Sequence, residues 1–466
     1  MTVTATPTAD PTAAQALRAR AGDILALDRR PREELLEVQR ARLRDVLAHA
    51  VNHSPYYRET LGADAPEREL AELPSLPKPQ LIDELDRVLT DRSLRRTDLQ
   101  RFLVEAEPGA AYRGSYRVFA TSGSTGSPCL FVYSLAEFAE WTAVGLARLA
   151  RLGVGPETRL IAIGAPRDVH ITRQLFAAFQ AGREGVPRLS VTTPVPKTVE
   201  ALNGYSPEVL IAYASVLGRL AEEQLEGRLA IAPRVTISTS EVLTDDIASR
   251  VRSAWGSEPV NVYAATEAPG IAVGSLEQVG MHVCEESVVV EVVDGAGRPV
   301  PPGVPGTKVL LTSLVNRVQP LIRYELSDSL VLAAEPDPSG RPFVRVARVD
   351  GRSDDILVFP GVGGGTVDVH PHRLRAPFAT LLEVRQYQIV HASDGSLRVR
   401  IVPRASAPAE LLERVRLAVH GELEQAGALP PAVAVEVVDE VEREPGHAAK
   451  VKLVVSEVPR TIGVRG

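Results

Sequence analysis

Short apolar segments alternate with helical segments through the middle of the chain, and this alternation constrains the fold most strongly. Strand-like runs are predicted at 159–164, 189–191, 209–212, 234–238 and 260–263. Helices are predicted at 135–152, 174–181, 215–226 and 244–255. Strands and helices that alternate at these lengths predict parallel βαβ units, which bind ligands beyond the carboxyl ends of their strands.

The flanking regions have different patterns. A helix is predicted at 32–50, and the segments 288–293 and 309–312 are typical of antiparallel strands separated by Gly/Pro turns. Beyond Arg352, the glycine-rich segment 361–365 is expected to be flexible, and a strand, a helix and a strand are predicted after it. The sequence therefore predicts an α/β protein with an antiparallel β portion and a small α+β module at its C-terminal end.

The composition excludes several classes of protein. The 466-residue chain has 52 Lys and Arg against 59 Asp and Glu, a net charge of −7, whereas a nucleic-acid-binding protein usually has a basic excess. Cys129 and Cys284 are too few for a disulfide framework or a four-thiolate zinc site. We find neither an apolar run long enough for a membrane span nor a secretory signal. A cytoplasmic protein with a disordered tail at residues 1–16 is therefore expected.

A loop of hydroxyl-bearing residues and glycines, Thr121 to Pro128, separates two predicted strands. Glycines let the backbone approach a ligand, and backbone N–H groups together with Ser and Thr hydroxyls can hold a phosphate. The loop lacks the lysine of a Walker motif, and Cys129 follows its proline. A polar hairpin and a flexible linker have similar compositions, so the loop alone leaves these alternatives open.

Polar residues also follow two neighbouring predicted strands. Ser238 to Glu241 follows one strand and Tyr263 to Glu267 follows the next, where both would converge with the loop at 121–128. A carboxylate such as Glu267 can hold the Mg²⁺ that ATP chemistry normally needs. Each segment can also be interpreted as an ordinary helix N-cap.

Three charged residues further along the chain suit nucleotide chemistry. Asp328 can accept hydrogen bonds from ribose hydroxyls, and Arg352 can clamp a ribose or a phosphate with its planar guanidinium. Lys450 can reach an anionic intermediate as a mobile point charge. A surface ion pair and a solvated lysine are the alternatives.

Together these motifs resemble those of the adenylate-forming enzyme superfamily, and within it the phenylacetate–CoA ligase-like branch. The loop at 121–128 is similar to its phosphate loop, and Tyr263–Glu267 to its Tyr-Gly-x-Thr-Glu motif. Arg323-Tyr324 with Asp328 resembles its Arg-Tyr…Asp ribose motif, and 351–355 its Gly-Arg-x-Asp-Asp hinge motif. Further features similar to the branch are the Gln39…Leu43 helix leading to 54–58, Leu76-Pro77-Lys78, and Gly280-Met281-His282 running into 291–294.

The resemblance implies an N-terminal ATP- and acyl-binding domain at 17–353 and a mobile C-terminal domain at 354–466, with a hinge near Asp354. It also implies two half-reactions. A carboxylate attacks the α-phosphorus of Mg-ATP to give an acyl-adenylate and pyrophosphate, and a thiol, usually that of coenzyme A, then displaces AMP. Such chemistry depends on positioning and charge neutralisation rather than on covalent catalysis by the protein.

The resemblance also assigns roles to individual residues. Lys450 would bridge the substrate carboxylate and the α-phosphate, Thr266 would contact the α-phosphate, and Glu267 would bind magnesium. His282 is a further candidate near the site, with a structural histidine as the alternative. The other nucleotide-binding residues implied are Ser122, Gly123, Ser124, Thr125, Gly126, Ser240, Glu241, Tyr263, Ala264, Asp328 and Arg352.

The chain departs from the superfamily pattern at three positions. Cys129 stands where much of the superfamily has a lysine, and Ala264 replaces the glycine of the Tyr-Gly motif. Near the end, Ala448-Ala449-Lys450 replaces the usual Gly-Lys, so that Lys452 competes with Lys450 for the catalytic role.

The predicted acyl pocket combines small, aromatic and basic residues, which suit a compact or aryl carboxylic acid. The expected function is the ATP-dependent ligation of such an acid to CoA. One alternative is an adenylating enzyme that passes the acyl group to a carrier-protein thiol, an amine or another nucleophile. The other is a nucleotide-binding homologue that no longer catalyses. A homodimer is an option that the sequence leaves open. The pocket residues predicted are Gly164, Arg167, His170, Tyr213 and Ala265.

Overall fold

The structure, a computed structural model, describes residues 11–121, 129–277, 280–352, 355–369, 371–381, 383–405, 407–441, 443 and 450–458. Its helices are α1 (Pro11–Ala26), α2 (Arg32–His53), α3 (Pro55–Leu61), α4 (Lys78–Asp83), α5 (Leu85–Val88), α6 (Arg96–Glu105), α7 (Leu135–Arg151), α8 (Ile171–Gln180), α9 (Val195–Tyr205), α10 (Ala214–Leu225), α11 (Asp245–Trp255), α12 (Pro371–Arg375) and α13 (Leu411–Gln425). Its strands are β1 (Tyr116–Ala120), β2 (Leu130–Ser134), β3 (Leu160–Ile163), β4 (Val209–Tyr213), β5 (Val235–Thr239), β6 (Val260–Tyr263), β7 (Ala272–Gly274), β8 (Met281–Val283), β9 (Val288–Val293), β10 (Lys308–Ser313), β11 (Tyr324–Leu326), β12 (Asp328–Leu332), β13 (Arg345–Arg352), β14 (Leu357–Pro360), β15 (Thr366–Val369), β16 (Val384–His391), β17 (Leu397–Pro403), β18 (Val433–Val437) and β19 (Val454–Ser456). None of the helices in these ranges combines the length and the apolar character that crossing a membrane requires.

An eight-stranded sheet forms the centre of the molecule, in the order β12-β13-β8-β7-β6-β5-β4-β3. Strands β3 to β6 pair in parallel, as the alternation of strands and helices predicts. From β6 onward the neighbours pair antiparallel. Because β3 to β6 are parallel, the loops after them lie at one edge of the sheet.

The parallel strands are buried on both faces. On β4, Val209 and Ile211 belong to a hydrophobic core shared with α7 and α8. Leu210 and Ala212 belong to a second core shared with α9, α10 and α11. Helices therefore cover both sides of the sheet, which explains why this strand is a continuous apolar run rather than an alternating one.

The hairpin β1-β2 holds the two ends of the predicted phosphate loop together. The strands pair antiparallel with Ala120 opposite Leu130, and the Thr121 N–H donates to the carbonyl of Cys129 at 3.0 Å. The two flanking strands are therefore confirmed. The predicted phosphate-binding residues of the loop itself lie outside the described residues: Ser122, Gly123, Ser124, Thr125 and Gly126.

The C-terminal part of the chain has a hydrophobic core of its own, which includes Ile389, Val399 and Val415. It consists of the four-stranded sheet β18-β17-β16-β19, the hairpin β14-β15 and helix α13. We call residues 355–458 the C-terminal module. The module begins next to the predicted domain boundary, and Asp354, the predicted hinge, lies outside the described residues. The mobility of the module stays a prediction.

The expectation of a disordered tail at residues 1–16 is wrong for its second part, because α1 begins at Pro11. This helix packs against α7, with Ile24 buried in the main core. Arg20 also donates to both carboxylate oxygens of Glu140 at 2.6 and 2.8 Å. Tertiary contacts that the local composition does not reveal therefore order this segment.

The glycine-rich segment near residue 361, for which the composition predicts flexibility, forms the turn of the hairpin β14-β15. The Gly361 N–H donates to the carbonyl of Gly365 at 3.1 Å. Gly364 and Gly365 have φ angles of 86° and 72°, which glycine adopts without a steric penalty. The glycines are therefore required by the shape of a defined turn.

Candidate active site

The loops after β4, β5 and β6 open onto one cavity of about 1650 Å³. It lies at the carboxyl edge of the parallel strands, where ligand sites of open α/β sheets are found. Lys450 and its competitor Lys452 reach it from the C-terminal module, and the other predicted residues that line it come from the N-terminal part of the chain. The predicted site residues that line the cavity are His170, Tyr213, Ser240, Glu241, Tyr263, Ala264, Ala265, Thr266, Glu267, Asp328, Arg352 and Lys450.

The loop after β6 is held in place through its backbone. The Tyr133 hydroxyl donates to the carbonyl of Thr266, and the Asn316 side chain donates to the carbonyl of Glu267 at 3.3 Å. Asn316 in turn accepts a hydrogen bond from the Trp141 indole at 2.9 Å. These contacts use only backbone oxygens of the loop, so they orient it without using the side chains of Thr266 and Glu267.

Ala264 stands where the motif usually has glycine, and the structure accommodates it without strain. Among the described residues, the non-glycine positions with positive φ are Arg113, Ser206, Ser240 and Arg323, so Ala264 does not need a conformation that favours glycine. Ser240, with φ 69°, follows β5 directly and lines the cavity. Strained backbone of this kind is concentrated at functional sites.

Glu267 is a buried carboxylate at the cavity wall, with 6 % of its surface exposed. Burial raises its pKa, and the positive charges of Lys78 and Arg352 oppose that shift. In the described part of the chain no group of three or more His, Cys, Asp or Glu side chains is arranged to hold a metal. A single carboxylate nevertheless fits Mg²⁺, which commonly binds one or two carboxylates together with substrate phosphates.

Lys78 is a cavity residue whose role the motifs do not reveal. It lies at the first position of α4, lines the cavity, and its charge acts on both Glu267 and the Cys129 thiol. Burial raises the pKa of Cys129 to about 12, so this thiol is neutral. Lys78 thus places a positive charge near Cys129, the residue that follows the predicted phosphate loop, whose sequence has no lysine. The Leu76-Pro77-Lys78 sequence was the available signal, but nothing local connects it to the loop.

Asp328 and Arg352 are opposite each other on the paired strands β12 and β13. Their closest nitrogen and oxygen atoms, Nε and Oδ1, are 3.8 Å apart. The Tyr263 hydroxyl donates to the other oxygen of Asp328 at 2.7 Å. Burial, followed by the charge of Asp328, raises the pKa of Tyr263, which keeps the phenol protonated as a donor. The predicted ribose-binding residues are therefore preorganised by one another.

Lys450 lies among the other predicted nucleotide-binding residues. Burial and the charge of Arg352 lower its pKa, whereas the carboxylates of Glu241, Asp328 and Glu267 raise it. Lys452 also lines the cavity, but its Nζ is 2.6 Å from Oδ1 of Asp355 in the same module. This ion pair occupies Lys452 and favours Lys450 as the cation that faces a substrate.

The carboxylate of Glu241 connects the C-terminal module to the N-terminal part of the chain. Its Oε2 accepts from the backbone N–H of Ser215 in the first turn of α10 at 2.8 Å. Its Oε1 accepts from the backbone N–H of Val451 at 2.9 Å. Because Val451 follows Lys450 directly, this contact fixes the backbone that carries the lysine into the cavity.

An apolar limb of the cavity extends between α7, α8 and the sheet. Its walls include Trp141, Phe176 and Phe179, and its polar side chains include His170 and a Thr172–Tyr213 hydroxyl pair 3.5 Å apart. Gly145 of α7 is required in this wall, because a Cβ there would lie 2.3 Å from Cζ of Phe179. The aromatic walls suit a compact or aryl group better than a long acyl chain.

Two of the predicted acyl-pocket residues, Gly164 and Arg167, do not line the cavity. The Phe176 ring covers Gly164, where a Cβ would lie 2.7 Å from the ring. Arg167 is exposed on the loop after β3. His170, Tyr213 and Ala265 do line the cavity, and their contact with the acid stays a prediction.

Arg323 and His282 have structural contacts instead of the site roles that their motifs suggest. Arg323 donates to both carboxylate oxygens of Glu291 at 2.9 and 3.0 Å and to the carbonyl of Ala71 at 3.1 Å. Nε2 of His282 lies 2.5 Å from Oδ2 of Asp337. Both side chains are buried, and neither lines the cavity.

Replacing Arg323 with methionine is expected to reduce the free energy of unfolding by about 3 kcal/mol, because a partly buried Glu291 would lose its partner. Chemical denaturation measures the loss. Arg352→Met is the matched control, since the Arg352 side chain is 55 % exposed and lies at the cavity. We expect Arg352→Met to weaken ATP binding with little change in stability. Weaker ATP binding and unchanged stability in Arg323→Met would contradict this assignment.

Comparison with known proteins agrees with the geometry of this cavity. Residues 57–311 match the family model described as AMP-binding enzyme. The chain belongs to this family. A phenylacetate–coenzyme A ligase from Thermus thermophilus is 29% identical over 389 residues, which cover 80% of this chain and 81% of that protein.

This AMP-binding enzyme is also similar in structure to 2-hydroxyisobutyryl-CoA ligase. The crystal structure of that enzyme in the postadenylation state, with R3-HIB-AMP, matches with a TM-score of 0.72 at 20% identity, covering 93% of this chain and 91% of that chain. Its structure in the thioesterification state, with 2-HIB-AMP and CoA, matches with a TM-score of 0.56 at 21% identity, covering 92% and 91%. The family predicted from the motifs and the α/β fold class predicted from the alternation of strands and helices are therefore confirmed.

Proposed function

We propose that this AMP-binding enzyme is an AMP-forming acid–CoA ligase that activates a compact, aromatic carboxylic acid. The observation that supports this most strongly is the position of Lys450. It reaches from the C-terminal module into a cavity that also holds Asp328, Arg352 and Glu267, and the aromatic limb opens into the same space. The likeness to phenylacetate–coenzyme A ligase supports the same reaction class.

In the first half-reaction, a carboxylate oxygen of the acid attacks the α-phosphorus of ATP. The bond to the bridging oxygen of the β-phosphate breaks, and pyrophosphate leaves. Lys450 faces both reacting anions and neutralises their charge. The barrier to phosphoryl transfer depends on this neutralisation. Asp328 accepts from the ribose hydroxyls while Tyr263 keeps its carboxylate oriented. Ser240 and Glu241 border the adenine, and Thr266 contacts the α-phosphate.

In the second half-reaction, the thiol of CoA attacks the acyl carbon, the bond to the AMP oxygen breaks, and the thiol proton is released.

Glu267 would hold Mg²⁺ at the phosphates, where the ion supplies neutralising charge. Lys78 adds a second positive charge on that side of the cavity. The Ser/Thr/Gly loop, residues 122–126, would hold the β- and γ-phosphates.

Adenylation should fall as the pH rises through the pKa of Lys450, because the reaction needs the protonated amine. Burial lowers this pKa, so the loss should begin at a lower pH than for an ordinary lysine. Lys450→Arg should remove this alkaline limb, since a guanidinium does not deprotonate in this range. ATP–pyrophosphate exchange against pH measures both profiles. An identical alkaline limb in Lys450→Arg would assign it to another group.

The function is tested by pyrophosphate release over a panel of acids with and without CoA. The panel contains phenylacetate, benzoate, 2-hydroxybenzoate and, as a long-chain control, octanoate. We expect an aryl acid to give acid-dependent pyrophosphate release, with AMP and an acyl-CoA formed in equal amounts when CoA is added. ATP binding without acid-dependent release from any acid would contradict a ligase.

The acceptor is tested by the same experiment. Pyrophosphate release that needs the acid but neither accelerates nor gives a thioester with CoA would contradict CoA as the acceptor. It would instead indicate transfer to a carrier-protein thiol or an amine. The aromatic limb makes a further comparison useful, because octanoate should react at least about tenfold more slowly than the best aryl acid.

A further inference from the structure

Glu222 of α10 is a buried carboxylate surrounded by guanidinium groups from both parts of the chain. Its side chain is 2 % exposed, and Oε1 accepts from Arg250 of α11 at 2.6 Å. Arg404 of the C-terminal module donates to the same oxygen at 3.2 Å. Nε of Arg385, also in the module, is 4.0 Å from Oε2. One carboxylate of the N-terminal part therefore contacts two cations of the C-terminal module.

The cost of burying Glu222 depends on these partners. Burial raises the pKa of Glu222, and the guanidiniums of Arg250, Arg404 and Arg385 oppose that shift. A charge removed from water is tolerated only when it is paired and hydrogen-bonded. Two of the three partners leave if the module moves away, and Glu222 then becomes hydrated beside Arg250. The contact is therefore specific to the docked arrangement, unlike an apolar interface of the same area.

We propose that Glu222 is a positioning residue that holds the C-terminal module in the orientation in which Lys450 faces the cavity. This rests on the proposed two-step function. The module orientation described here includes the Glu241–Val451 contact and has Lys450 at the cavity. Glu222 acts through the module and does not itself line the cavity. It therefore biases the enzyme toward adenylation without contacting ATP or the acid.

Replacing Glu222 with glutamine removes the negative charge but keeps the size of the side chain. Arg250, Arg385 and Arg404 would then repel one another, and this repulsion is relieved when the module undocks. We expect ATP–pyrophosphate exchange with phenylacetate to fall about tenfold. Formation of phenylacetyl-CoA from synthetic phenylacetyl-adenylate should change less than about twofold, because that step does not need Lys450 in the cavity.

Glu223→Gln is the matched control. Glu223 is the next residue of α10 and is also buried, but its partners Arg228 and Arg219, at 2.5 and 3.5 Å, belong to the N-terminal part. We expect this variant to affect the two half-reactions equally. Arg404→Gln should behave as Glu222→Gln does, and the double variant should lose less than the sum of the two single effects. An equal effect of Glu222→Gln on both half-reactions, with additivity in the double variant, would overturn the proposal.

Hydrogen exchange of the ligand-free enzyme tests the contact even if phenylacetate is not a substrate. Glu222→Gln should increase exchange in peptides that cover 383–405 and 245–255, and Glu223→Gln should leave 383–405 unchanged. Unchanged exchange at 383–405 in Glu222→Gln would overturn the role of Glu222, whatever the activity. If the wild-type enzyme shows no acid-dependent ATP–pyrophosphate exchange, the proposed function is contradicted, whereas the role of Glu222 in positioning the module is not.

Discussion

Lys450→Ala is expected to reduce adenylation at least about 100-fold, since loss of a preorganised site cation typically costs several kcal/mol of transition-state stabilisation. The reason is that Lys450 brings a positive charge to the cavity from the C-terminal module, among Glu241, Asp328 and Glu267. Pyrophosphate exchange with the most active acid of the panel measures this loss. Thioester formation from a synthetic acyl-adenylate should change much less, because no phosphoryl transfer is involved.

Lys452→Ala is the control for this prediction. It removes a cavity-lining lysine two residues away that is paired with Asp355. We expect a decrease of less than about tenfold, because the ion pair with Asp355 lies within the module and its loss should change only the local structure there. If ATP–pyrophosphate exchange were normal in Lys450→Ala and lost in Lys452→Ala, Lys452 would be the catalytic lysine instead of Lys450.

Glu267→Gln is the second substitution with a large expected effect. An amide keeps the shape of the side chain but loses the charge that would bind Mg²⁺, so adenylation should fall about 100-fold at low magnesium. The magnesium concentration that gives half-maximal activity should rise. Titration of activity with MgCl₂ at fixed ATP measures this shift.

Glu325→Gln is a matched control for Glu267→Gln. Glu325 lines the same cavity, but its carboxylate accepts from Lys308 and from Ser75, at 2.8 and 2.7 Å. Its charge is therefore already neutralised within the protein. We expect a wild-type magnesium titration for this variant. A wild-type titration for Glu267→Gln would remove the metal role from Glu267.

The sequence predicted best those elements whose pattern follows from local geometry. The run Val209 to Ala212 is apolar at every position because both faces of β4 are covered. This unbroken apolar pattern alone predicts a central parallel strand. By contrast, α9 was not predicted. It starts at Val195, where Pro194 and Pro196 fit a turn as well as the first turn of a helix, and Gly204 weakens its helical pattern, although Leu202 anchors it in the core.

The sequence predicts the site less completely than the fold, because several of its side chains contact partners that are distant in the sequence. Asp328 and Arg352 are brought together by strand pairing, which a pattern of strands can suggest. Arg323 carries a motif that suggests ribose binding, but its partner Glu291 is on another strand, and no local pattern reveals that pair. The role of Lys78 was missed for the same reason, because its proximity to Glu267 depends on how α4 packs.

The two cysteines have a practical consequence for the study of this enzyme. Both thiols of the chain, Cys129 and Cys284, are free and buried. Thiol-specific dyes react with exposed thiolates, so neither position should compete with a cysteine introduced at the surface. Cysteines at Glu226, next to α10, and at the exposed Leu417 of α13 would carry a donor and an acceptor fluorophore on opposite sides of the module interface. Module movement during turnover then becomes a distance that single molecules report directly, in the natural cysteine background.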